Sequence, residues 1–512
     1  TTLGGTLFPY TTLFRSYLTT FNNIHHLDFL AGYEIDDTYN DYLSGEAYNF
    51  TTPDKHAISN GMKTVSVGGS DSRYRLVSYL SRLNYDYKNK YYLGASFRVD
   101  GSSRLHRDNR WGTFWSVSGA WRTIEEEFMQ PVKDWLTDLR IRASYGVNGT
   151  LPSDYFGYMG LSSISGGYLE QPGIQMSQIA NPNLKWETNY NMNIGLDFGF
   201  WDRLNFTIEY YTRTTKNLLM DCPVSMTTGF SSYLMNIGEV KNKGIELTIN
   251  STNIKIKDFS WNTTFNLGHN SNKVVKLDGE QTQIVSGTQI HKVGSSYRTF
   301  YVQEFAGINP ETGNPLFYTN ELDENGNYIK EITENSKNAQ FIPYKHAEPT
   351  VNGGISNSLR YKWLDLNFLF SYQFGGYSYD TWAQKTEHGG YDSYANIPTY
   401  YRDSWKKPGD QTNIEVYMPG KSSSVSMHKI TSSRRIHSTD YFRLKNITFG
   451  ITLPKEWTNK INIGNVRFYA SASNLWTWAA YDNYDPEAVS AGSATQTTPP
   501  LKTVTFGLNI NF

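Results

Sequence analysis

Several stretches of the sequence carry residue types that could do chemistry. Asp323-Glu324-Asn325-Gly326-Asn327 places oxygen ligands at the first, third and fifth positions of a calcium loop, with Glu334 at the twelfth. Tyr328 stands where the sharp turn of such a loop wants glycine, no helical pattern flanks it, and Asn-Gly is itself a hairpin signal, so a turn is the favoured reading. Gly101-Ser102-Ser103 lacks the glycine pair of a nucleophile elbow and reads as a turn. His25 and His26 are adjacent, so on a strand they point to opposite faces and cannot grip one metal. Glu125-Glu126-Glu127 reads as solvated charge in a turn, and Cys222 as a small strand-end or loop residue. No catalytic residue, metal site or cofactor is expected.

The richest candidate is a loop. Residues 377–405 hold Tyr377, Tyr379, Trp382, Tyr391, Tyr394, Tyr400, Tyr401 and Trp405, interleaved with Gly, Asp, Asn and Arg. Aromatic faces stack on sugar rings or peptide side chains, and polar neighbours supply hydrogen bonds. The alternatives are an aromatic girdle at lipid headgroups, or contacts within the loop or to a covering protein. Trp382, Tyr391, Tyr394, Tyr400, Tyr401 and Trp405 are the candidate substrate- or lid-contact residues.

The elements that would position this loop follow from period-two patterning. Val504, Phe506, Leu508, Ile510 and Phe512 take one face of a strand; Thr505, Gly507, Asn509 and Asn511 take the other. Leu364, Leu366, Phe368, Phe370, Tyr372 and Phe374 oppose Asp365, Asn367, Ser371 and Gln373 in the same way. No helical spacing of comparable length appears, so the chain reads as all-β. No apolar run approaches the roughly 20 residues of a transmembrane helix, but a barrel strand needs only about 9–11 with every second one apolar. The composition agrees: 15% aromatics among 512 residues, yet a mean hydropathy of -0.54, as for a wall with one greasy and one wet face. With 47 Lys+Arg against 48 Asp+Glu, no basic excess points to nucleic acid. One cysteine excludes an intramolecular disulfide framework.

Strands are expected near 21–34, 78–87, 90–100, 112–122, 137–147, 186–200, 203–214, 243–252, 258–270, 350–361, 363–376, 441–453, 464–478 and 501–512. Connections alternate between short ones, such as Lys88-Asn89, Trp201-Asp202 and Lys362, and long ones at 35–77, 148–185, 215–242, 271–349, 377–440 and 479–500. Outer-membrane barrels have short periplasmic turns and long extracellular loops, whereas a chain of β-sandwiches has no reason to collect its long loops at one end. Residues 1–16 fit no later pattern, resemble a translated sequencing-adapter scar and are set aside from the fold; 17–512 form the barrel portion. The missing initiator methionine and signal peptide lead to the expectation that the native beginning lies upstream.

Ordered words along 17–512 carry a family resemblance. They include Asp100-Gly101-Ser102-Ser103, Trp111-Gly112-Thr113-Phe114, Leu184-Lys185-Trp186-Glu187, Gly238-Glu239-Val240 leading to Gly244-Ile245-Glu246, Arg443-Leu444-Lys445-Asn446 and Asp485-Pro486-Glu487. The sequence resembles the SusC/RagA family of TonB-dependent outer-membrane receptors of Bacteroidetes. The resemblance implies a 22-stranded antiparallel transmembrane β-barrel, of which about 14 strands are present, with the plug and TonB box upstream. It implies nutrient import of glycans or oligopeptides beneath a SusD-like surface lipoprotein, driven by TonB-ExbB-ExbD through the absent N-terminal region. It also implies that Phe506, Leu508, Ile510 and Phe512 are read by the outer-membrane assembly machinery, besides facing outer-membrane lipid. A passive porin, and then a soluble carbohydrate-binding β-protein, are the competing readings. An enzyme is the least favoured class.

Overall fold

Alternation of side chains becomes register when strands pair, and register decides whether the greasy positions of neighbouring strands fall together. A computed structural model describes residues 2–7, 10–52, 54, 57–168, 171–277, 282–391, 396–420, 427–458, 460, 463–494 and 497–511. Two compact units partition the chain, one comprising 1–131, 140–195 and 211–240, the other 132–139, 196–210 and 241–512.

In the second unit, Phe259–Leu277, Val351–Tyr361, Leu364–Phe374, Tyr441–Thr452, Asn465–Ala479 and Thr503–Asn511 pair antiparallel in chain order. Trp261, Leu359, Leu366, Phe449, Ala470 and Phe506 form one row across all six. Phe259, Tyr361, Leu364, Ile451, Phe468 and Leu508 form the row beside it. Asn262, Ser358, Asn367, Thr448, Ser471 and Thr505 lie on the opposite face, where the Thr448 and Ser471 hydroxyls meet at 2.9 Å. Phe506 is 80% exposed. On the wet face, Gly507 lies under Tyr469, whose ring would collide with any Cβ placed there.

In the first unit, Tyr10–Phe21, His25–Phe50, Gly61–Tyr87, Tyr91–Ser102, Trp111–Trp121 and, from Arg140 onward, the strand Leu136–Thr150 contribute a similar stack. Tyr17, Phe29, Leu83, Ala95, Val117 and Tyr145 align in a row, and Asp28, Asn84, Gly94, Ser118 and Ser144 align on the other face. His25 and His26 do diverge: His25 Nδ1 meets the Tyr85 hydroxyl and His26 Nδ1 the Thr20 hydroxyl. The tight turns are left-handed. Asn22 and Asn23, Lys88 and Asn89, and Trp201 and Asp202 all adopt φ near +50 to +56°, as two-residue type I′ hairpin turns require.

Three expectations change. The stretch 35–77 is not a loop: His25–Phe50 and Gly61–Tyr87 pair from His25 and Tyr87 up to Phe50 and Gly61, leaving a short tip. At about 3.3 Å per residue such strands outrun the hydrocarbon layer. Where both faces are wet alternation is not required, so Asp36-Asp37 and Asn40-Asp41 hid the continuation. The strand expected at 21–34 begins after a turn at Asn22-Asn23 instead. Residues 1–16, set aside above, contribute Thr2–Leu7 and most of Tyr10–Phe21, both paired with His25–Phe50. A strand edge offers unpaired N–H and C=O groups to any neighbouring backbone, whatever its side chains.

One irregularity positions charge. Between Asn446 and Leu444, the Tyr441–Thr452 strand carries one residue, Lys445, that has no partner on either neighbour. Such a bulge re-aims side chains. Lys445 and Arg443 both reach Glu487, while Phe442 stays on the greasy face, stacked on Phe370 at 5.0 Å.

Candidate functional site

The bulge explains why two of the sequence words, some 40 positions apart, are one structure. Arg443 is nearly sealed from solvent; its Nη2 lies 2.6 Å from Asp485 Oδ2, Nη1 binds Glu487, and Nε donates to Thr477 Oγ1 at 3.0 Å. Lys445 Nζ lies 2.6 Å from the same Glu487 carboxylate, which also accepts from the Tyr441 hydroxyl at 3.0 Å. Asp485 caps the short turn Pro486–Ala488 by accepting from the Glu487 N–H at 2.9 Å, with Pro486 buried at its start. Two cations against two anions make a balanced cluster whose disruption would strand a buried charge.

The long loops carry a second core. Phe300, Val302, Tyr379 and Ile436 pack together, and Phe317, Ala339, Met427 and Ile430 form a neighbouring cluster. Between short strands lies Arg435, fully buried, which donates to Glu387; the Tyr400 hydroxyl donates to the other oxygen of that carboxylate. Burial, then the Glu387 charge, pushes the Tyr400 phenol far above its usual range, and burial with Glu415 does the same to Tyr401. Both remain protonated donors at physiological pH. Asp380 caps the helix Thr381–Thr386 through the Ala383 N–H at 2.7 Å and accepts from the Tyr481 hydroxyl at 3.0 Å. Tyr481 stacks on His437 at 3.7 Å, and burial holds His437 below its ordinary value, hence neutral near pH 7.

The aromatic candidates therefore separate. Tyr401 is 5% exposed, and Trp405 donates its indole N–H to Pro310 O at 2.7 Å, so both serve the loop interior along with Tyr400. Trp382 is 41% exposed and Tyr391 is open at the surface; Tyr394 lies outside the described residues. Trp382 lines two adjoining cavities, of about 610 Å³ and 290 Å³, that also share Asp380 and Asn483. Sequence reasoning missed Asp380, Glu387, Arg435, Asp482, Asn483 and Lys502. Glu387 and Arg435 meet across 48 positions, and no local spacing could announce that.

The remaining motif residues hold structure. In the first unit, Asp100 accepts from Arg98 Nε at 2.6 Å, and Arg98 also reaches Glu34 and Ser78. Gly101 lies against the Trp111 ring, Ser102 Oγ accepts from the Arg104 N–H and Ser103 Oγ from the Arg75 N–H; Gly101 and Ser102 end the strand Tyr91–Ser102 rather than form a turn, which begins only at Ser103. Trp186 packs on Phe114 edge-to-face with Leu105 and Leu184 and donates to Arg110 O, while Glu187 accepts from the Leu219 N–H. The Gly238 carbonyl accepts from the Leu218 N–H; Gly244 is buried and Glu246 exposed on Gly238–Ile256. Leu508 and Ile510 are exposed like Phe506, and Phe512 lies outside the described residues. Asp323 spends its carboxylate on the backbone N–H groups of Asn325 and Asn327, and Glu334 binds Asn309, Thr312 and Asn314 instead. Among the described residues no group of three or more His, Cys, Asp or Glu side chains could hold a metal ion.

Antiparallel strands with one greasy face, joined by long connections that fold into clusters of their own, fit an outer-membrane barrel. The family described as "TonB dependent receptor-like, beta-barrel" matches residues 2–328. The chain belongs to that family. TonB-dependent receptors of this family are outer-membrane receptors and transporters rather than enzymes. TonB-dependent receptor P3 of Formosa agariphila is 32% identical over 98% of this chain and 52% of its own length. TonB-dependent receptor SusC of Bacteroides thetaiotaomicron is 29% identical over 99% of this chain and 50% of its own. A solved structure of the RagAB peptide transporter superposes with a TM-score of 0.87 at 26% identity, covering 100% of this chain and 56% of that one. The chain thus spans about half the length of the curated relatives it matches.

Proposed function

We propose that the chain forms part of the wall and the outer loops of a TonB-dependent nutrient importer that takes up glycans or oligopeptides with a SusD-like surface lipoprotein. The observation that carries this reading is the pairing of two features. Uninterrupted greasy rows run across the strands, and a separately packed loop assembly offers an open aromatic trough. The first feature fits a wall in lipid, and the second supports a role of the loops in contacting substrate or a covering lipoprotein. Similarity to the RagAB peptide transporter and to SusC supports the importer over a passive porin. In this reading TonB-ExbB-ExbD drives the full-length receptor, and Trp382 and Tyr391 are the rim residues closest to substrate.

The test uses the full-length receptor restored to a Bacteroidetes host. Uptake of a labelled oligopeptide or glycan that disappears on deletion of TonB, together with co-purification of a surface lipoprotein, is the expected result. Conductance of the purified protein in planar bilayers without any energy source would instead establish a porin.

A further inference from the structure

The trough at Trp382 has a chemistry of its own, and resting on the importer reading it narrows the substrate class. We propose that the trough is a binding subsite for oligopeptides carrying both charges, with Asp482 taking a cationic group and Lys502 an anionic one.

Many of the polar groups that line the trough are already committed. Asp380 accepts from Ala383 N and Tyr481 Oη, and Arg443 is held by Asp485, Glu487 and Thr477. Two side-chain amides of the lining each spend one N–H: Asn483 donates to the Tyr481 hydroxyl at 2.7 Å and Asn474 to Leu501 O at 3.2 Å. Thr386 donates to Trp382 O. Of the charged groups, Asp482 and Lys502 remain. Both line the larger cavity, and neither makes a hydrogen bond or ion pair among the described residues. They present opposite charges beside a part-exposed indole and the rings of Pro486, Pro499 and Pro500, with Pro398 and Ile397 in the adjoining cavity. Rigid apolar walls with a few convergent polar groups suit a ligand that is mostly hydrocarbon and charged at separated points. A peptide has that form, whereas a neutral glycan brings no charge for either Asp482 or Lys502 to meet.

The experiment is a titration of the full-length receptor in detergent, read by intrinsic tryptophan fluorescence. Three probes are used: the tetrapeptide Ala-Leu-Ala-Ala with free termini, the same peptide acetylated and amidated, and maltotetraose. The free peptide is expected to bind more tightly than the capped one by about tenfold for each of its two charges, each charge being worth one charge-assisted hydrogen bond. D482N and K502Q should each remove about that factor for the free peptide and leave the capped peptide unchanged. Equal binding of free and capped peptide, insensitivity to both substitutions, or preference for maltotetraose overturns the proposal. Both side chains are exposed loop residues, and unchanged heat-modifiable migration on gels shows the variants folded. TonB-dependent uptake, measured separately, keeps the two readings apart. Uptake without charge-selective binding sinks this subsite alone, and charge-selective binding without TonB dependence sinks the importer.

Discussion

Large apolar residues do opposite things in the wall and in the outer loops. Phe506, Phe449 and Phe468 on the strands are exposed, whereas Phe300, Phe317 and Tyr379 between the strands are sealed from solvent. The wall has no interior of its own; hydrocarbon is its core, and each strand needs only half its residues to be greasy. The loops stand in water and must bury one another. The same aromatic-rich composition therefore answers two solvents, and burial rather than residue type tells the regions apart.

That contrast can be broken by substitution. The largest effect is expected at Glu387→Ala, which leaves Arg435 buried without its carboxylate and should cost the loop assembly about 3–5 kcal/mol. Hydrogen exchange across 282–350 and 427–440 should rise sharply while strand peptides stay protected; unchanged protection would mean the loops owe nothing to this pair. Phe300→Ala should cost about 3–5 kcal/mol because a cavity remains, whereas Phe506→Ala forfeits only the transfer term, about 1.5–3 kcal/mol, since lipid fills the space. Denaturant titration of the full-length receptor in vesicles checks this, and equal losses would erase the distinction between the regions. Phe449→Arg on the greasy face should cost about 2–4 kcal/mol near the bilayer midplane and lower membrane abundance, with the neighbouring Thr448→Arg far milder.

The smallest effect concerns pH at a short-turn end. Tyr91, then Trp121 and Lys90, hold the Glu126 carboxylate down at about 2 against an ordinary 4.5. A carboxylate with a depressed pKa stabilises the fold above its unfolded value and loses that contribution as pH falls through the folded one. Trp121 fluorescence should therefore report loosening of this turn as pH drops from about 4.5 toward about 2, and E126Q should remove the transition.

Legibility followed the same division. Strands such as Leu364–Phe374 and Thr503–Asn511 could be read to within two or three residues, because lipid imposes a period of two on the chain. Beyond the lipid that rule lapses, and the upper halves of His25–Phe50 and Gly61–Tyr87 went unread. The short turns were visible as gaps, though Asn22-Asn23 was passed over despite being a residue pair suited to positive φ. At the candidate site the sequence marked an aromatic-rich loop but not the contacts that each ring makes within it. Tyr400, Tyr401 and Trp405 look like Trp382 on paper, and only the Glu387 carboxylate and the Pro310 carbonyl show which rings are spent indoors. Asp485-Pro486-Glu487 and Arg443-Leu444-Lys445 were noticed as words without any hint that they bind each other.

Lys445 is the spare link of its strand. Taking it out would leave Phe442 toward oil and Arg443 toward water, because the flanking residues already keep strict turn-about once it is skipped. Excising Thr448 instead would exchange indoors and outdoors for every side chain on one flank. The Tyr441–Thr452 segment thus has one position where the chain could shorten without turning itself inside out, and that position holds the cation that doubles the grip on Glu487.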